Sequence, residues 1–91
     1  RGFLEHRKKK IMEHCKDPYF DFQEMKPGVI FLEGRHAGCG DRPAMDYLGI
    51  IRSGENEILD TRYIYPSPQM PEKNRKVWKA IFMRMIHGPD A

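Results

Sequence analysis

The segment AMDYLGIIRSGENEILDTRYIY, residues 44–65, has the pattern of a β-hairpin. A period of two in the apolar residues is typical of strands. The turn-forming residues Ser53-Gly54-Glu55-Asn56 separate two such runs. The first run places Met45, Tyr47 and Ile51 on one face and Leu48 and Ile50 on the other. The segment therefore predicts two antiparallel strands joined by a short loop.

A third strand is predicted upstream of the hairpin. Val29-Ile30-Phe31-Leu32 is a bulky apolar run, and it follows the turn signal Lys26-Pro27-Gly28. The aromatic stretch from Tyr19 to Phe22 is compatible either with an extended segment or with a loop. Three strands are the number that the pattern supports.

Helices are predicted at both ends of the chain. Phe3 to Lys16 has an apolar stripe that includes Cys15, and Asp17-Pro18 ends it. Near the C-terminus, Val77, Trp78, Ile81, Phe82, Met85 and Ile86 recur at helical spacing before Gly88 and Pro89. Together the elements predict one α+β domain over residues 1–91. We expect a small three-stranded antiparallel sheet with the N- and C-terminal helices packed on one face.

The composition excludes several classes of protein. The chain has 91 residues, of which 40% are hydrophobic and 32% charged. No apolar run approaches the roughly 18 residues that a membrane-spanning helix needs. A membrane partner, a collagen and a low-complexity chain are therefore not expected.

The net charge of +3 is unevenly distributed along the chain. Residues 1–16 contain six Lys or Arg residues and two acidic residues, and residues 72–86 contain five Lys or Arg residues and one acidic residue. Residues 17–71, in contrast, contain five Lys or Arg residues and nine acidic residues. Such basic blocks are compatible with the solvated faces of terminal helices or with nucleic-acid binding. The second interpretation, a small basic nucleic-acid-binding domain, would use Arg7, Lys8, Lys9, Lys10, Lys73, Arg75, Lys76 and Lys79.

The two cysteines, Cys15 and Cys39, are too few for a disulfide scaffold. One bridge between them remains compatible with the sequence, but free thiols in a reducing compartment are the simpler interpretation. A cytoplasmic location is accordingly expected.

The glycine-flanked segment Gly38-Cys39-Gly40-Asp41 is the candidate site. Thiolate sulfur and carboxylate oxygen both bind zinc or iron, and His36 lies three residues before Cys39. The predicted metal ligands are therefore Cys39, Asp41 and His36. The alternative is a glycine-rich loop whose cysteine only packs.

Three segments in this order resemble the N-terminal domain of the NifU/IscU family of iron–sulfur cluster scaffolds. They are KIMEHCKDP at 10–18, AGCGD at 37–41 and ENEILDTRY at 55–63. The resemblance implies that Cys39 corresponds to the first cluster ligand, with Asp41 as the nearby aspartate. The family's second ligand cysteine follows the hairpin, but this chain has Tyr65-Pro66-Ser67-Pro68-Gln69 there. The third ligand cysteine is absent as well.

The resemblance implies a divergent scaffold-like, metal-binding or protein-interaction module centred on Cys39-Gly40-Asp41, and not an enzyme. Its cofactor would be an iron–sulfur cluster or zinc. Because the ligand set is incomplete, no cofactor at all is the alternative. A protein partner, or another copy of the chain in a homo-oligomer, would supply the missing ligands.

Overall fold

The computed structural model describes residues 2–67 and 69–88 of the chain. Its elements are α1 (Gly2–His14), β1 (Cys15–Lys16), β2 (Tyr19–Lys26), β3 (Val29–His36), β4 (Gly38–Cys39), β5 (Met45–Ser53), β6 (Ile58–Tyr65) and α2 (Glu72–His87). Neither described helix is long and apolar enough to cross a membrane. The α+β class and the two terminal helices agree with the sequence prediction.

The main sheet has four antiparallel strands in the order β2-β3-β5-β6, one more than predicted. The additional strand is β2, which includes the aromatic stretch that the sequence left open. Its polar residues Asp21, Gln23 and Glu24 are exposed, because β2 is an edge strand. A tight turn at Pro27-Gly28 joins β2 to β3, and Gly28 there adopts a positive φ of 78°.

The two helices cover opposite faces of this sheet, which corrects the prediction that both pack on one face. Phe31 belongs to the core cluster that contains Phe82 and Ile86 of α2. Its neighbour Leu32 belongs to the cluster that contains Leu4 of α1. Adjacent strand residues point to opposite faces, so α1 and α2 lie on different sides.

The physical reason for two covered faces lies in β5. This strand buries Leu48 and Ile50 on the α2 face, and Tyr47 and Ile51 on the α1 face. A central strand that is apolar on both sides needs cover on both sides. One helix per face provides it.

A second, two-stranded sheet links the end of α1 to the segment after β3. It pairs β1 with β4, with Cys15 opposite Cys39 and Lys16 opposite Gly38. The Ala37 N–H also donates to the Lys16 carbonyl oxygen at 2.8 Å. This small sheet brings the predicted site residues beside the C-terminal end of α1.

Candidate functional site

Cys39 forms a disulfide with Cys15. The expectation of two free thiols is therefore wrong. Cys15 does not lie on the helical stripe, because α1 ends at His14 and Cys15 starts a strand directly opposite Cys39. Bridged cysteines give no indication of a reducing compartment, and a cytoplasmic location stays a prediction.

The segment after Cys39 is a tight turn rather than an open loop. Cys39 and Arg42 exchange backbone hydrogen bonds, with the Arg42 N–H donating to the Cys39 carbonyl at 2.9 Å. Gly40 adopts a positive φ of 58°, which favours glycine at this corner. Gly40 and Asp41 at the tip are exposed, while Cys39 is half-buried.

The three predicted metal ligands do not fit a metal centre in this form of the chain. The Cys39 sulfur is in a disulfide and is not a thiolate, the form that binds metals. Asp41 is exposed, whereas His36 is buried at 5% exposure. Among residues 2–67 and 69–88, no group of three His, Cys, Asp or Glu side chains could hold a metal ion. Metal binding stays a prediction for the reduced chain.

The structure instead brings basic residues together in a pocket between α1 and the main sheet. The pocket has a volume of about 180 Å³. Four cationic side chains line it: Arg7 and Lys10 of α1, Arg42 of the tight turn and Arg62 of β6. The remaining lining residues are Ile11, His36, Cys39, Met45 and Tyr47. No acidic side chain is among the described residues that line this pocket, which we call the basic pocket.

Helical spacing explains how Arg7 reaches this position. Arg7 is three residues after Leu4 and four before Ile11, so all three lie on one side of α1. Leu4 is fully buried against the sheet, and Ile11 is half-buried. The sequence left Arg7 and Lys10 either on a solvated helix face or on a nucleic-acid-binding surface; in the structure Lys10 is exposed and Arg7 is half-buried. The sequence signal for the half-buried position of Arg7 was its place within the apolar stripe.

The positive charge of the basic pocket is only partly compensated. Arg62 forms two hydrogen bonds of 2.8 Å with the Asp60 carboxylate. Among the residues that the structure describes, Arg7, Lys10 and Arg42 have no carboxylate within ion-pair distance. Burial lowers the pKa of Arg7, and the charge of Arg62 lowers it further. Burial and the neighbouring Arg62 thus disfavour the charge of Arg7.

His36 adds an unused hydrogen-bonding group to the same wall. Its Nδ1 is buried and has no hydrogen-bond partner within the described part of the chain. A buried polar atom without a partner costs about 1–3 kcal/mol. Burial lowers the pKa of His36, and the nearby Arg42 lowers it further, which favours the neutral imidazole.

Two glycines allow the side chains of the pocket floor to lie flat on the sheet. The Tyr47 ring lies against Gly34 on the neighbouring strand, where a Cβ would overlap its hydroxyl group. A Cβ at Gly49 would overlap the Thr61 carbonyl and lie 2.9 Å from Cγ of Arg62. Arg62 in turn stacks over Tyr47, its guanidinium carbon 5.3 Å from the ring centre.

The basic blocks of the two helices do not form one surface, because α1 and α2 cover opposite faces of the sheet. In the second block, Arg75 forms an ion pair with Asp46. Its Nη1 atom also lies 3.8 Å from Oε2 of Glu33. Lys79 lies 3.9 Å from Glu33. Nucleic-acid binding by the basic residues of the two helices stays a prediction.

Comparisons with protein-family models, with curated proteins and with solved structures find no match for this chain. The resemblance to the NifU/IscU family therefore rests on the three sequence segments alone. The function has to be argued from the geometry of the chain itself.

Proposed function

We propose that this chain binds a small anionic ligand, with a phosphate or carboxylate group, in the basic pocket. The observation that carries the proposal is the lining itself, which has four cationic side chains and no acidic one among the described residues. Guanidinium groups bind phosphates and carboxylates through paired, charge-assisted hydrogen bonds. An anion here would compensate Arg7, Lys10 and Arg42, which have no carboxylate partner among the described residues.

The size of the basic pocket favours a small ligand. Its volume of about 180 Å³ is below the roughly 300–1,000 Å³ of pockets that enclose a drug-sized molecule. Ile11, Met45 and the Tyr47 ring supply apolar walls beside the cations. We infer a ligand with one or two anionic groups on a short carbon frame, or a free oxyanion.

A binding role is favoured over catalysis. Cys39, the cysteine among the described lining residues, is in a disulfide and has no free thiolate to act as a nucleophile. The proposal keeps the predicted centre of the site, since Cys39 and His36 both line the pocket. It replaces the metal with an anion as the ligand.

Isothermal titration calorimetry with phosphate, and separately with a short dicarboxylate such as succinate, tests the proposal. The key variant is Arg7→Gln, and its matched control is Lys9→Gln, which removes the same charge from an exposed position of the same helix. Loss of a charged hydrogen-bond partner should weaken binding by about tenfold or more in Arg7→Gln. Lys9→Gln should change the affinity by less than about twofold, since an exposed distant charge is screened.

Two outcomes would contradict the proposal. One is the absence of binding heat for both ligands. The other is equal weakening by Arg7→Gln and Lys9→Gln, which would indicate general charge attraction. A short single-stranded oligonucleotide provides a further arm. Tight, steeply salt-dependent binding of the oligonucleotide that both variants weaken equally would favour the nucleic-acid alternative instead.

A further inference from the structure

The two edges of the main sheet differ in how well they are protected against pairing. At the β2 edge, a bulge between Glu24 and Lys26 interrupts the register, and polar side chains are exposed. At the β6 edge, all eight residues pair with β5 without a bulge. This edge also exposes Ile58, Leu59 and Ile64 to 61%, 56% and 52%. A regular, apolar, unpaired edge is a template for another strand.

The sequence of β6 is complementary to itself when two copies run antiparallel about Thr61. In that register Asp60 lies opposite Arg62 of the second copy, and Arg62 opposite the second copy's Asp60. Leu59 lies opposite Tyr63, and Ile58 opposite Ile64. Opposite charges and apolar pairs directly across an antiparallel ladder each stabilise it. The exposed isoleucines would cover each other.

Other registers lose this complementarity. A shift by two residues places either Asp60 opposite Asp60 or Arg62 opposite Arg62, and like charges directly opposite are destabilising. A shift by one residue would turn the second copy over, so that its α1 face continued the α2 face of the first copy and the two-fold symmetry was lost. Asp60 and Arg62 are hydrogen-bonded within one chain, and in the register centred on Thr61 each also faces the opposite charge of the second copy, which favours this register over the others.

Helix α2 packs beside the β6 edge and exposes apolar residues on the side that faces this edge. Asn74 donates to the Tyr63 hydroxyl at 3.0 Å, and the Trp78 ring stacks on Tyr63 with 4.5 Å between centres. Ile81 is seven residues after Asn74, and Met85 is seven residues after Trp78. Both therefore lie on the same side of α2, the side that faces β6. They are exposed to 37% and 41%. Pairing two β6 strands would bring two such sides towards each other on one face of the combined sheet.

We propose that β6 pairs with β6 of a second copy of this chain, about a two-fold axis at Thr61, to form a continuous eight-stranded antiparallel sheet from two four-stranded ones. The occupant is a second copy because the strand is complementary to itself in both charge and apolar pattern. An isologous contact of this kind is the commonest way in which soluble chains dimerise.

Analytical ultracentrifugation over a range of concentrations tests the dimer. We expect a monomer–dimer equilibrium for the native chain. Thr61→Lys places two lysines opposite each other at the axis, on an exposed residue, and should raise the dissociation constant by about tenfold or more. Gln23→Lys adds the same charge to the exposed β2 edge and should leave the constant unchanged. A native chain that stays monomeric at high micromolar concentration would overturn the proposal, as would equal effects of both variants.

Cysteine cross-linking tests the register. In Thr61→Cys the two introduced thiols lie opposite each other, so mild oxidation should give a covalent dimer. In Ile64→Cys they lie six residues apart along the paired strands, about 20 Å, and should not cross-link. Cross-linking of Ile64→Cys as efficient as that of Thr61→Cys would reject the register.

A charge reversal keeps the test informative if Thr61 variants fold poorly. Arg62→Asp should weaken the dimer, and Asp60→Arg/Arg62→Asp should restore it, because the swapped charges are again opposite. Arg62 also lines the basic pocket, so the mass of each variant is measured without added phosphate or dicarboxylate. Failure of the double variant to restore dimerisation would count against the register.

Discussion

Asp46 and Arg75 form an ion pair that joins β5 to the first turns of α2. The Asp46 side chain is 1% exposed, and it also accepts the Met70 N–H at 2.8 Å. Burial lowers the pKa of Arg75, but the hydrogen bond and charge of Asp46 outweigh it, so the pKa is raised overall. Within the described part of the chain, no side chain forms a capping hydrogen bond at the start of α2. The carboxylate of Asp46 therefore fixes the start of this helix.

Replacing Asp46 should destabilise the fold strongly. Asp46→Ala leaves Arg75 and the Met70 N–H without their acceptor, and breaking a buried pair from one side costs about 3 kcal/mol or more. Urea denaturation measures the change in the free energy of unfolding. Asp41→Ala is the control, since Asp41 is exposed at the tight turn and should cost less than about 0.5 kcal/mol. Similar losses in both variants would contradict the structural role of Asp46.

Removing the disulfide should weaken the fold by a different mechanism. Cys15 and Cys39 are 24 residues apart, and closing a loop of this length stabilises a chain by about 3 kcal/mol in the chain-entropy description. Cys15→Ser/Cys39→Ser should lose about this amount in urea denaturation. The native chain in dithiothreitol should match the double variant. An unchanged midpoint in both, or reactive free thiols in the folded native chain, would show that the bridge is absent in solution.

The reduced chain provides the test of the family resemblance. Sulfide cleaves disulfides, so the oxidised protein is incubated with zinc alone, and we expect no bound zinc because its sulfurs are not thiolates. Iron with sulfide is added only to the cysteine variants. Cys15→Ser frees Cys39, and visible absorption bands or bound zinc in this variant would support the predicted metal site. Cys39→Ala is the control and should lose them. Equal metal binding in both variants would exclude Cys39 as a ligand.

Acidification should destabilise the protein through His36. Folding lowers the pKa of His36 below its ordinary value of about 6.5, so the unfolded chain binds more protons as the pH falls through that value. The free energy of unfolding should be highest above about pH 7 and decrease toward pH 5. Arg7, Lys10, Arg42 and Arg62 line the same pocket as His36.

The control for this pH dependence separates His36 from other titrating groups. Urea denaturation at about pH 7 and about pH 5.5 gives the change in stability with pH. His36→Gln should reduce this change, whereas His87→Gln, at an exposed position, should retain it. The same change in His36→Gln as in the native chain would refute the role of His36.

A methyl group at Gly34 should disrupt the pocket floor. Gly34→Ala places its Cβ on the Tyr47 hydroxyl, and overpacking of this kind costs about 1–3 kcal/mol. Gly54→Ala is the control, because its new Cβ would have only ordinary contacts, the nearest at 3.7 Å. In Gly34→Ala/Tyr47→Leu the loss should be smaller than the sum of the single losses. An additive double variant would indicate that the two residues do not compete for space.

Much of the fold could be predicted where local patterns are strong. Helix α2 ends at His87, and the following Gly88 has a positive φ of 92° and donates its N–H to the Arg84 carbonyl. The hairpin loop between β5 and β6 also lies where the turn residues indicate. The sequence left strand β2 open, because an edge strand with acidic residues lacks the continuous apolar pattern of a buried strand. The alternation in β5 already showed two apolar faces, so the position of the helices could have been inferred.

The basic pocket could not be predicted from spacing. Arg7, Arg42 and Arg62 are separated by 35 and 20 residues, and only the crossing of α1 over the sheet and the register of β5 with β6 bring them together. The disulfide was equally hidden, since it depends on where α1 ends. Sequence motifs describe residues that are close along the chain, whereas the residues of this pocket are close only in the folded structure.

The two glycines Gly34 and Gly49 also affect which substitutions this protein can accept during evolution. A side chain at either position requires its neighbour to move, because the space next to each is already filled by Tyr47 or by β6. Arg7 and Lys10 project from a helix and Arg42 from a tight turn, so each can be exchanged without repacking the sheet. We therefore expect mutational scanning for stability to find few accepted substitutions at Gly34 and Gly49. Many more should be accepted at Arg7, Lys10 and Arg42, which form the rim of the pocket. New ligand preferences could arise at the rim while the scaffold stays intact.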